Sequence, residues 1–121
     1  MLTQDQKDQL TELMNDCEIP ILKDILRKAL PRFISDEVKP IQDHLGVFVA
    51  DGKWQIRSNK SCCLIGASLI DRSADEGMTY YSDIEYSTRE EISSAFDDVP
   101  IDRNTEISEY VSKIRKVIFG C

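Results

Sequence analysis

The chain has 121 residues, of which 41% are hydrophobic and 31% are charged, a composition that fits one folded domain spanning residues 1–121. No apolar run approaches the roughly 20 residues of a membrane-spanning helix, and the polar first residues lack the features of a secretory signal. We therefore expect a cytoplasmic protein with no membrane partner. In that compartment the four cysteines are expected to be reduced thiols.

The net charge of −7 is concentrated in one part of the chain. Residues 71–109 contain 12 acidic and 3 basic side chains, whereas residues 1–70 contain 10 acidic and 9 basic ones. Because a negative field repels phosphate backbones, we expect no direct nucleic-acid binding. The same field would attract a basic protein surface, although acidic side chains also serve simply to keep a small domain soluble.

Two helices are predicted at the N-terminus. Apolar residues recur at helical spacing through residues 5–17, after a cap at Thr3 or Asp5. Pro20 suits the first position of a second helix, which is expected to be the most buried one, and Pro31 is expected to end or kink it. Because the link between the two helices is short, they are predicted to form an αα-hairpin.

The sharpest strand signal lies in residues 46–57. Two alternating runs flank an Asp-Gly pair, which favours a two-residue type I′ turn. Such a turn places Val47 opposite Ile56 and Val49 opposite Trp54, and these four side chains are predicted to face the core.

The other face of this hairpin would carry Phe48, Gln55 and Arg57. Phe48 is then the one apolar residue that points outward, unless another group covers it.

Two segments give weaker patterns. Residues 36–45 have helical spacing, and Pro40 restricts any helix to starting near it. Residues 79–86 alternate weakly and are compatible with a third strand or with an ordered loop.

Three further helices are predicted. The first is expected to follow a cap at Asn59 or Ser61 and to run to about Ile70. The second opens on a capping box that begins at Ser87. The third is strongly amphipathic, begins after Asn104 or Thr105 and is stopped by Gly120.

The predicted fold class is therefore α+β and mostly helical. About five helices pack around the hairpin of residues 46–57, with a third strand near residues 79–86 as an open alternative. A two-stranded hairpin is not stable alone, so it must lean on the helices.

The adjacent Cys62 and Cys63 invite two interpretations. Cysteine is often buried as a small hydrophobe, and small residues four apart allow close helix packing, so the pair is predicted to fill the core. Alternatively, a thiol near a helix N-terminus and near Arg57 and Lys60 could have a lowered pKa and act in a thiol-dependent enzyme or redox sensor. The one histidine, His44, has no spacing relation to the cysteines.

Other chemistry is not indicated. Zinc-type cysteine or histidine pairs, a glycine-rich phosphate loop and a serine-nucleophile motif are all absent from the sequence. We therefore predict no metal, no cofactor and no catalytic residue.

Tyrosines and acids occur together in residues 78–109, and tyrosine supplies rigid contact area with a polar tip. An alternative packs Tyr80, Ile84 and Tyr86 on the core and leaves Tyr81 exposed. The predicted partner-binding residues are Tyr80, Tyr81, Asp83, Glu85, Tyr86, Glu90, Glu91, Asp97 and Asp98.

The predicted function is that of a small, acidic, non-catalytic protein that binds another protein as a regulator, adaptor or inhibitor. The expected partner has a basic surface, and a sharper version has the acids mimic nucleic acid in a basic groove. Self-association is left open. The alternative is the thiol-dependent enzyme or redox sensor.

Overall fold

The computed structural model of the chain describes residues 1–43, 46–50, 53–70, 79–80, 85–100 and 105–120. Within these ranges the fold is α+β and mostly helical, as predicted from the sequence. In chain order its elements are α1 (Gln4–Asp16), α2 (Pro20–Ile34), β1 (Lys39–Pro40), β2 (Val47–Ala50), β3 (Lys53–Ile56), β4 (Ser61–Cys62), α3 (Leu64–Ser68), β5 (Thr79–Tyr80), α4 (Tyr86–Asp97) and α5 (Glu106–Phe119).

The apolar residues that are buried in the described ranges form one cluster. Every helix contributes to it, and so does the β2–β3 hairpin. α3 is buried along its whole length and packs against both α2 and α4. Representative members of the cluster are Leu10, Phe33, Ile56, Ile65, Phe96 and Ile114.

The N-terminal αα-hairpin forms as predicted, with Thr3 as the cap. The Thr3 hydroxyl accepts a hydrogen bond from the Gln6 amide at 3.2 Å, and the Gln6 side chain accepts one from the Thr3 amide at 2.8 Å. Two otherwise unsatisfied donors of the first turn are thereby bonded. α1 packs against α2, which begins at Pro20 as predicted.

Pro31 was predicted either to end α2 or to kink it. It does not end the helix, which continues to Ile34. A proline removes one helical hydrogen bond and crowds the carbonyl of the residue four positions earlier. The last turn nevertheless buries Phe33, whose ring stacks on that of Phe96 with a centroid distance of 6.3 Å. Burial of this aromatic side chain offsets the cost of the proline.

The helix considered near Pro40 does not form in the described residues. Instead, β1 pairs in parallel with β4. The amide of Lys39 donates to the carbonyl of Lys60 at 2.8 Å, and the amide of Ile41 donates to that of Cys62 at 3.0 Å. Pro40 lies between these two donors, where its missing N–H leaves the ladder intact.

The hairpin register is confirmed. Val47 lies opposite Ile56, Val49 opposite Trp54, and both Val47 and Ile56 are buried. The turn at residues 51–52 lies outside the described residues.

Phe48 is half-buried on the other face of the hairpin, where the Arg57 guanidinium carbon lies 5.0 Å from the centre of its ring. The Arg57 side chain therefore covers one face of the Phe48 ring through a cation–π contact.

The third strand does form, but it is short. β5 pairs with β3 in antiparallel fashion, with Thr79 opposite Gln55 and Tyr80 opposite Trp54. The strand does not extend to Tyr86, because Tyr86 begins α4.

The helix that was predicted to contain the two cysteines is shorter than expected and begins after them. Ser61 and Cys62 belong to β4, so the N-cap of α3 is Cys63 rather than Asn59 or Ser61. Gly66 of α3 comes so close to the hairpin that a Cβ atom there would lie 3.0 Å from the Cys62 Cβ and 3.4 Å from Val47.

The last two helices differ in how well their ends were predicted. α4 begins one residue before the predicted capping box, and its N-cap Glu85 makes no side-chain cap bond. α5 is capped by Thr105 and stopped by Gly120, which adopts a left-handed conformation with φ of 78°, as predicted. The other predicted cap, Asn104, lies outside the described residues.

Over the ranges that the structure describes, no helix combines the length and the apolar character needed to cross a membrane.

Candidate functional site

The N-terminal end of α4 presents three exposed residues of the predicted binding set. Tyr86 is 60% exposed, and Glu85 and Glu90 are also exposed. The guanidinium carbon of Arg89 lies 5.0 Å from the centre of the Tyr86 ring. Glu85, Tyr86 and Glu90 are called the α4 surface below.

Two of the predicted binding residues lie inside the fold rather than on a surface. Glu91 is 6% exposed and accepts a hydrogen bond from the Ser108 hydroxyl of α5 at 2.8 Å. Asp97 is 8% exposed. Both were expected on an acidic outer face, and that expectation is corrected by their positions between packed elements.

The environment of Asp97 is electrostatically unusual. Burial, together with the negative charge of Asp43, raises the pKa of its carboxyl group to about 7. The negative charge of Asp97 in turn contributes to the raised pKa of the Cys63 thiol. Asp97 therefore gains or loses its proton near neutral pH, which a surface aspartate does not do.

Asp98 is exposed but lies at the other end of α4. It adopts a left-handed conformation with φ of 59° as the C-cap, and its carboxylate lies 3.3 Å from Arg115 of α5. At 1.5 Å per residue, about 18 Å of helix separates it from Tyr86. It does not belong to the α4 surface.

Tyr81 and Asp83 lie outside the described residues, and Tyr80 is described by its backbone in β5.

The two adjacent thiols are both buried and have separate roles in the local structure. The Cys62 thiol donates a hydrogen bond to the carbonyl of Ser58 at 2.8 Å. The Cys63 sulfur accepts one from the amide of Gly66 at 3.5 Å, which caps α3.

Burial raises the pKa of the Cys62 thiol to about 11 and that of the Cys63 thiol to about 12. The positive charge of Arg32 lowers the Cys62 value in part, but desolvation dominates. An activated nucleophile requires the opposite shift, toward or below neutral pH. His44 lies outside the described residues.

A small cavity lies between the hairpin and the cysteines. Its volume is about 100 Å³, and Asp43, Arg57, Ser58 and Cys62 are among the residues that line it. A space of this size holds about three water molecules, since each occupies roughly 30 Å³ in the liquid. Pockets for organic ligands are several times larger, at about 300–1,000 Å³. The described part of the chain brings no three histidine, cysteine or carboxylate side chains together at distances suited to a metal ion.

Comparisons of the chain with protein-family models, with curated proteins and with solved structures found no match.

Proposed function

We propose that this protein is a small non-catalytic binding protein that recognises a partner protein with a basic surface through the α4 surface. The observation that carries the proposal is the position of Tyr86, a 60% exposed aromatic ring next to two exposed carboxylates. Exposed tyrosine with a polar rim is typical of protein interfaces, because the ring contributes a large contact area at low conformational cost.

The contact of Arg89 with the Tyr86 ring supports this proposal. The contact shows that a guanidinium group can approach the ring face, although Arg89 itself is buried and belongs to the same helix. A partner arginine could approach the exposed part of Tyr86 while Glu85 and Glu90 attract its charge.

The hypothesis that the acidic side chains mimic nucleic acid in a basic groove of the partner receives less support. It requires a regular track of exposed carboxylates. Glu91 and Asp97 lie inside the fold, and Asp98 lies about 18 Å away along the helix. The proposal is therefore a compact contact centred on one tyrosine.

The thiol-dependent alternative receives no supporting observation from the described residues. Burial raises the pKa of both thiols, and the adjacent cavity is too small for an organic substrate.

Quantitative affinity capture from a lysate of the native host tests the proposal. The tagged wild-type chain is compared with Tyr86→Ala and with a Glu85→Lys/Glu90→Lys variant. We expect both variants to lose the same captured protein at least tenfold, and we expect about 1 M salt to weaken its capture by the wild type.

A matched control is Glu12→Lys/Asp16→Lys, which makes the same change in charge on the exposed side of α1. This control should capture the partner as the wild type does. If the α1 control and the α4 variants lose the same proteins equally, net charge rather than the α4 surface governs binding and the proposal is wrong.

A further inference from the structure

A groove of about 410 Å³ lies where the residues before α1 meet β1 and the C-terminal end of α5. It is called the α5 groove below, and its volume falls within the roughly 300–1,000 Å³ of small-molecule sites. Apolar side chains from three separate parts of the chain line most of it. They are Met1, Leu2, Val38, Pro40, Ile118 and Phe119.

The apolar side chains that line the groove differ in exposure. Val38 and Ile118 are 1% and 8% exposed and belong to the apolar cluster of the fold. Leu2 and Phe119 are half-buried, and the Met1 side chain is fully exposed. Because methionine is unbranched and adapts its shape readily, the Met1 side chain can adjust to an apolar ligand. The groove therefore offers apolar surface that the fold itself leaves partly uncovered.

Two polar side chains of the groove are already engaged within the protein. The Gln6 side-chain nitrogen donates to the carbonyls of Val117 and Ile118 at 3.0 and 3.3 Å. The Asp36 carboxylate lies 2.7 Å from the Lys7 ammonium nitrogen, and this hydrogen bond lowers the pKa of Asp36. The charge of Asp36 is thereby compensated, so neither group offers an uncompensated charge to a ligand.

Lys39 also lines the groove, and its side chain is exposed. Its ammonium group makes no ion pair within the described residues. In the part of the chain that the structure describes, the groove thus combines an apolar lining with the uncompensated positive charge of Lys39. The complementary ligand has an apolar body and one negative group.

We infer that the α5 groove binds a single-chain carboxylate of the fatty-acid class, with the hydrocarbon chain against the apolar lining and the carboxylate toward Lys39. The groove shares no residue with the α4 surface, so this inference goes beyond the proposed function. The net charge of −7 opposes an anion at long range, but at about 0.1 M ionic strength charges more than about 10 Å apart are largely screened. The local charge of Lys39 then dominates.

Titration of the full chain with decanoate tests the inference. Calorimetry measures the affinity, and nuclear magnetic resonance of isotope-labelled methionine methyl groups locates the ligand, because Met1 lines the groove. Met14→Leu and Met78→Leu assign the signals, since leucine is of similar volume. We expect a Kd below about 1 mM and a saturable shift of the Met1 signal. Octanoate should bind roughly tenfold more weakly, because it buries a shorter hydrocarbon chain.

Charge reversal tests the role of Lys39. Lys39→Glu should weaken decanoate binding about tenfold at about 0.1 M salt, because an attraction becomes a repulsion. Arg27→Glu is the matched control, since it makes the same change in charge on the exposed side of α2, outside the groove, and should bind decanoate as the wild type does. Decyltrimethylammonium has the same chain with a positive head group and should bind the wild type more weakly than decanoate. Far-UV circular dichroism verifies that each variant is folded.

Any of four results would overturn the inference: a Kd for decanoate above about 1 mM, equal affinities of Lys39→Glu and Arg27→Glu, equal affinities for decanoate and the cation, or binding that leaves the Met1 signal unmoved. A Met1 signal that moves with protein concentration alone would place a second copy in the groove and would also contradict it. None of these results bears on the proposed function, because capture from the lysate is tested with variants of the α4 surface that leave the groove intact.

Discussion

The carboxyl group of Asp97 links the pH of the solution to the stability of the fold. Its pKa is raised from an ordinary value of 3.8 to about 7, first by burial and then by the charge of Asp43. Between these two values the folded state keeps the proton that the unfolded state has released. The free energy of unfolding therefore falls as the pH rises from about 4 to about 7.

We predict that Asp97→Asn removes this decline. One pKa unit corresponds to about 1.4 kcal/mol, so the shift of about three units sets an upper limit of about 4 kcal/mol on what the wild type loses across the window, and screening by solvent reduces this amount. Denaturant unfolding at a series of pH values measures the difference. Asp16→Asn, an exposed change of the same kind, should keep the wild-type slope. An unchanged slope in Asp97→Asn would assign the decline to another group.

The thiols of Cys62 and Cys63 are predicted to react slowly. Both are buried, and burial raises their pKa to about 11 and about 12, so very little thiolate exists at neutral pH. A thiol reagent added to the native protein, followed by mass-spectrometric mapping, should leave both unmodified until the chain is unfolded. A Cys121→Ser background removes the C-terminal thiol from the measurement. Rapid labelling of Cys62 or Cys63 would restore the thiol-enzyme alternative.

Sequence patterns predicted least well which polar and charged residues of the candidate site are buried. Tyr86, Ser93 and Asp97 lie within about 40° of one another around α4, because 7 and 11 residues are close to whole numbers of turns. Yet Tyr86 is exposed, whereas Ser93 and Asp97 are buried. Helical periodicity specifies the side of a helix but not how far the neighbouring elements extend along it.

At the scale of elements, patterns that depend on neighbouring residues were predictive. The hairpin register follows from its turn and its alternation, and the ends of α5 follow from Thr105 and Gly120. The parallel β1–β4 pair was missed, because each strand has two residues and its partner is some 20 positions away in the chain. The continuation of α2 past Pro31 was missed for a related reason, since it depends on a tertiary contact between Phe33 and Phe96.

Substitution of Pro31 tests the helix-breaking cost that this tertiary contact offsets. Pro31 is exposed inside α2, where the ring removes a hydrogen bond without contributing to the core. We predict that Pro31→Ala raises the free energy of unfolding, by up to about 3 kcal/mol. Pro20→Ala is the matched control, because the first helical residue has no intrahelical partner for its N–H and little should change. Equal effects of the two substitutions, measured by denaturant unfolding, would contradict the argument.

At the scale of the whole molecule, the distribution of the core predicts one cooperative unit. Among the described residues, a single apolar cluster joins α1, α2, the hairpin, α3, α4 and α5, and Phe96 contacts both Phe33 and Phe119. An element that shares its buried surface with all the others cannot unfold without exposing theirs. The prediction of a single domain over residues 1–121 therefore implies that these elements unfold together.

Two probes in different elements can test this cooperativity. Trp54 is the one tryptophan of the chain and lies on β3, so its fluorescence reports on the sheet, whereas far-UV circular dichroism reports mainly on the helices. We predict coincident denaturant transitions for the two probes. Phe96→Ala should lower the free energy of unfolding by about 3–5 kcal/mol and shift both transitions together. If fluorescence changes at a lower denaturant concentration than circular dichroism, the hairpin unfolds separately and the chain does not behave as one cooperative domain.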